Sequence, residues 1–138
     1  MHVKVGWSWV EDETADDWNT TDCLYAFTDP ESDEVLYLGT CSGATLKACC
    51  EATEHEDLWS RLRGIEIDNV GVMLGRPQAE GGAKIDAKLL GEITQLLVFE
   101  IGPSGNSDNE PRVEVRPGLE VACSGEWPYE EAVFVAID

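Results

Sequence analysis

An α/β fold of the α+β kind, a small antiparallel or mixed β-sheet flanked by helices, is predicted by three features of this 138-residue sequence. Short segments of alternating or β-branched residues recur between turn signals. One long segment carries apolar residues at helical spacing. Apolar residues make up 43% of the chain, and at this length folding buries about 68% of the surface an unfolded chain exposes, enough for one ordinary core without staples.

Each element follows from local pattern. Segment 3–10 alternates, with Val3, Val5, Trp7 and Trp9 on one side, as in a half-buried strand whose tryptophans pack rather than stack bases. An acidic loop follows. Segments 23–28 and 34–40 are apolar and flank Asp29-Pro30-Glu31-Ser32-Asp33, which is turn chemistry, so they read as an antiparallel hairpin. Helix formers at 45–54 follow the Ser42-Gly43 break, and 57–63 reads as a further turn or short helix ending at Gly64. Segment 65–74 is β-branched and reads as a third strand. Segment 84–101 sets Ile85, Leu89, Leu90, Ile93, Leu96 and Leu97 at helical spacing until Gly102-Pro103 stops it. Segments 112–121 and 132–137 read as a C-terminal β extension. No linker or repeat divides the chain, so it reads as a single domain, with a core at 23–106, an N-terminal strand and acidic loop at 1–22 and the extension at 107–138.

The formal charge is −19, from 28 acidic and 9 basic side chains, with four lysines: Lys4, Lys47, Lys84 and Lys88. Binding to a phosphate backbone normally rests on lysine and arginine, and the overall charge opposes it. Spread over a surface, the acids match proteins of salt-rich cytoplasm, where about 3 Å of molar salt screens them. Concentrated at Glu11-Asp12-Glu13 and Asp16-Asp17, they would imitate a phosphate chain and attract a basic protein partner. Five cysteines, Cys23, Cys41, Cys49, Cys50 and Cys123, form no CxxC pair and sit among aliphatic residues, so reduced core thiols are expected rather than a disulfide or zinc framework. The longest apolar runs are short and the start Met1-His2-Val3-Lys4 lacks a leader's hydrophobic stretch, which predicts a cytoplasmic protein without a membrane partner. There is no GxSxG, P-loop or Rossmann fingerprint. His55, between Glu54 and Glu56, reads as an exposed histidine.

Taken in order, Cys23-Leu24-Tyr25, then Tyr37-Leu38-Gly39, then a helix, then Ile93-Thr94-Gln95-Leu96-Leu97-Val98-Phe99 running into Pro103-Ser104-Gly105-Asn106 resembles the GIY-YIG nuclease superfamily from Cys23 to Asn106. Arg116-Pro117-Gly118-Leu119-Glu120-Val121 and Gly125-Glu126-Trp127-Pro128 are similar to a C-terminal extension found in some members. The resemblance implies phosphodiester hydrolysis with one divalent ion, Mg²⁺ or Mn²⁺. A hairpin tyrosine helps activate water, an arginine on the first helix steadies the phosphate, and a helix glutamate holds the metal. A positioned phenol relays a proton, a guanidinium matches phosphate oxygens, and a carboxylate offers the ion a hard oxygen.

Residue by residue, the resemblance assigns Tyr25 and Tyr37 to the tyrosines, Gly39 to the motif glycine and Asn106 to the asparagine beyond the long helix. It departs at two functional positions. Lys47, eight residues after Gly39, stands where the family has arginine and lacks the planar fork. Gln95 stands where the family has the metal glutamate and brings no charge. Cys23 replaces the usual first glycine. Glu92, one turn before Gln95, either pairs with Lys88 at the surface or substitutes as a metal ligand. Arg61 and Arg63 with Lys47 form the local basic cluster for a phosphate. Three functional readings follow. The first is a degenerate domain retained to bind nucleic acid or protein. The second is an active endonuclease, salt-adapted or with Gln95 an engineered replacement of glutamate. The third is an acidic interaction protein that mimics phosphate. All readings that keep the site expect Tyr25, Tyr37, Lys47 and Gln95 on one concave surface.

Overall fold

The computed structural model describes residues 1–12, 14–29, 31–53, 70–103, 105–106 and 115–136. Its centre is a six-stranded mixed sheet. Among the described residues the strands are β1 (His2–Trp9), β2 (Thr21–Thr28), β3 (Val35–Thr45), β4 (Gly71–Ala79), β5 (Glu120–Gly125) and β6 (Val133–Val135), and the α-helices are α1 (Leu46–Thr53) and α2 (Ala87–Ile101). The strand order is β3-β2-β4-β1-β5-β6. β1 runs parallel to β5 and the other neighbours are antiparallel. The expected α+β class and the antiparallel pairing of β2 with β3 are both present.

Alternation decides which side of the sheet each residue joins. Leu24 and Ala26 of β2, with Val3, Val5 and Trp7 of β1 and Met73 of β4, meet Leu89, Leu90, Ile93, Leu96 and Leu97 of α2. Cys23, Tyr25 and Phe27, the intervening positions of β2, meet Leu46 and Cys50 of α1. β2 is therefore covered on both faces, which is why Cys23 through Thr28 are all buried. The helices occupy opposite sides of this sheet.

Several boundaries moved, each for a local reason. α2 starts at Ala87 rather than 84 because Asp86 caps it, its carboxylate accepting the Leu89 N–H at 2.8 Å, and left-handed Gly102 ends it. β4 continues to Ala79 through Pro77, beyond the expected 74. Its pairing with β2 ends at Gly75, so among the described residues Pro77 has strand β1 alone beside it, an edge setting that tolerates proline. The extension begins pairing at Glu120 because Arg116-Pro117-Gly118 forms a turn, with Gly118 at φ 80°. The expected helix at 57–63 and the starts of the strands expected at 65–74 and 112–121 lie outside the described residues.

Candidate functional site

The hairpin brings the two tyrosines together. Tyr25 opposes Gly39 and Phe27 opposes Tyr37. The Tyr25 and Tyr37 ring centroids are 6.1 Å apart, and Tyr37 stacks on Phe27 at 5.9 Å. Gly39 makes this possible: a Cβ there would overlap the Tyr25 ring, 2.6 Å from Cε1. The face is aromatic and largely buried, with Tyr25 3% exposed. Lys47 is exposed on the first turn of α1, on the same side of the sheet. Leu46 beside it is buried and donates its N–H to Thr20 O at 2.8 Å, which turns Lys47 toward solvent.

Gln95 is elsewhere. It is half-buried on α2, whose neighbouring Thr94 Oγ1 lies 2.6 Å from Thr40 Oγ1 on the far face of β3. The expected convergence of four residues is therefore corrected. Tyr25 and Tyr37 point to the α1 side while α2 packs on Leu24, Ala26 and Leu38, so the sheet itself stands between the tyrosines and Gln95.

Glu92 is also reassigned. It is 1% exposed rather than on a surface flank. Its Oε1 accepts the Arg116 backbone N–H at 2.8 Å and Nε at 3.1 Å, and its Oε2 accepts Nε at 3.0 Å and Nη2 at 2.5 Å. These charge-assisted bonds outweigh burial and hold the Glu92 carboxyl below the usual carboxylate range. With this carboxylate engaged and Gln95 neutral, these two described residues do not fit the role of ligands to a resident Mg²⁺ or Mn²⁺ ion. Among the described residues no three His, Cys, Asp or Glu side chains are placed to hold a metal.

Asn106, expected at substrate, closes the outer edge of β3. Its Oδ1 accepts the Leu38 N–H at 3.0 Å and its Nδ2 donates to Leu38 O at 3.0 Å, while Gly105 N–H donates to Leu36 O at 2.6 Å. The side-chain amide replaces a neighbouring strand. Asn106→Ala is expected to lower stability by about 1–2 kcal/mol, because it strands both polar groups of the buried Leu38 peptide; urea denaturation checks this.

The cysteine expectation needs correction as well. Cys41 and Cys49 are disulfide-bonded, with Cα atoms 5.8 Å apart, while Cys23, Cys50 and Cys123 are buried outside that disulfide. Burial pushes the thiols of Cys23 and Cys123 up to about 11. The pair joins the end of β3 to α1, a contact made by the strand-to-helix turn and not by any recognisable cysteine spacing. Arg61, Arg63 and His55 lie outside the described residues. Within the acidic loop, the Thr14 hydroxyl and N–H hold Asp12 below its ordinary range, and Asp17 pairs with Arg76 at 2.6 Å. A shallow cavity of about 210 Å³ lined by His2, Lys4, Gln78, Ala79 and Glu80 is not part of the tyrosine face. Among the described residues no helix is long and apolar enough to cross a membrane. No protein-family model, curated protein or solved structure matches the chain.

Proposed function

We propose that the protein is a GIY-YIG-like domain without phosphodiesterase activity, retained to bind a basic protein partner. The observation that carries this reading is the separation of Gln95 from Tyr25 and Tyr37 by the sheet, with Glu92, one turn before Gln95, committed to Arg116. The paired tyrosines over Gly39 support the family resemblance. The charge of −19 favours a basic protein over nucleic acid. A cytoplasmic location is part of this proposal, and there the Cys41–Cys49 bond would face reduction.

Plasmid cleavage with Mg²⁺ or Mn²⁺, from low to molar salt, tests the reading. In an intact site, restoring an electrostatic group recovers about 10²- to 10³-fold in rate. Here Gln95→Glu, alone or with Lys47→Arg, is expected to change nothing, since the restored carboxylate faces the wrong side of the sheet. Any DNA binding is expected to hold or rise with salt, as screening relieves repulsion, whereas binding to a basic protein falls. Metal-dependent cleavage by the unmodified chain or by either variant would overturn the proposal.

A further inference from the structure

We infer that β6 is the docking edge, taking an extended, lysine- or arginine-rich segment of the partner as a seventh strand. The inference rests on the basic-partner reading and names its site. The two edges of the sheet are treated differently. Along the first half of β3, Gly105, Asn106 and the Tyr129 hydroxyl, which accepts the Val35 N–H at 2.9 Å, occupy outward groups of Val35, Leu36 and Leu38. Along β6, among the described residues, the only neighbouring strand is β5.

The pairing fixes which groups are left outward. Cys123 N–H donates to Ala132 O at 2.7 Å and Ala136 N–H donates to Leu119 O at 2.8 Å, with Val121 opposite Phe134 between them. Alternation then turns the N–H and C=O of Val133 and Val135 away from β5. Their side chains are 52% and 45% exposed, whereas Phe134 between them is 4% exposed in the core. Val133 and Val135 thus combine outward backbone groups with exposed apolar side chains. Edge strands are normally defended by lysine, proline, an inward charge or shortness; Val133-Phe134-Val135 has none of the first three and relies on its three-residue length.

Charge selects the occupant. Glu126, Glu130 and Glu131, on the connection leading into β6, are all exposed and form no ion pair among the described residues. A second copy of the chain would bring the same glutamates and another −19 charge to this edge. A basic extended segment instead gains strand pairing from its backbone, apolar contact at alternate residues over Val133 and Val135, and attraction from the glutamates.

The test uses the full chain and a capped peptide of about eight residues, alternating lysine and valine, long enough for one strand. A second peptide is N-methylated at every other residue, keeping its charge and side chains but losing one edge of N–H donors. Fluorescence anisotropy at low salt is expected to show binding of the first and about tenfold or weaker binding of the second, as loss of two hydrogen bonds implies. Val135→Pro removes an outward N–H and no ladder bond. It is expected to weaken the first peptide similarly with the unfolding midpoint retained, and Val133→Lys, which adds a like charge at the edge, provides the second variant. Equal binding of both peptides would overturn strand addition and leave the basic-partner reading standing, as would failure of both peptides alongside binding of a folded basic protein such as lysozyme. Failure of all three would remove both.

Discussion

Arg116→Ala is expected to cost about 3 kcal/mol at neutral pH, the low end for breaking a buried pair because the Arg116 side chain keeps 36% exposure. The cost lies with the partner left behind. Glu92 is 1% exposed, and without the guanidinium its carboxylate retains only the residue-116 backbone N–H. The pH dependence gives a second signature. In the parent protein Arg116 lowers the Glu92 pKa. The pair's contribution is therefore complete above the ordinary carboxyl value and fades as pH falls through the lower folded value. In Arg116→Ala, burial is opposed by the residue-116 N–H and the Lys88 charge alone, so that pKa rises relative to the parent, the variant is most penalised at neutral pH and the difference narrows on acidification. Urea denaturation of both proteins at pH 7 and in acid checks this. A difference below about 1 kcal/mol at pH 7 would show that the carboxylate is solvated. Replacing both partners by methionine is expected to recover much of the loss. The pair ties α2 to the turn that starts β5, so the penalty also loosens the β5–β6 edge.

The sequence yielded the elements more readily than their sides. Alternation and turn chemistry placed β2 and β3 and set Tyr25 beside Tyr37, and the stripe Leu89, Ile93, Leu97 found the buried face of α2. Those patterns report which face of an element is covered. They do not report which side of the sheet a helix crosses to, and that choice separated Gln95 from the tyrosines. The Glu92–Arg116 pair, 24 residues apart, left only a faint trace: at 3.6 residues per turn Glu92 lies within about 60° of both Leu89 and Leu96, on the rim of the apolar arc. Asn106 gave no signal of its structural role, because an amide that caps a strand edge and one that contacts substrate follow the same helix stop. β4 runs past the β-branched segment through Pro77, which residue type does not signal; the sheet order shows that β2 has already left its side there.

Reduction of Cys41–Cys49 is expected to lower stability by about 2.5 kcal/mol, from the closure entropy of a loop whose ends are 8 residues apart. The effect should be local first. α1 has eight residues, below the length at which a helix persists alone. Besides the disulfide, it is held by Leu46, Cys50 and the Leu46 N–H bond to Thr20 O. The sheet rests on separate strand pairing and on α2. Hydrogen exchange in reductant should therefore speed up across Leu46–Thr53 while β1 and β4 stay protected. Cys41 is fully buried and Cys49 partly so, which makes Cys49 Sγ the accessible point of attack and Cys41 the leaving thiolate. Cys49→Ala should reproduce the reduced behaviour without added reductant. Unchanged unfolding midpoint and unchanged α1 protection in both would show that the cross-link does not hold this helix.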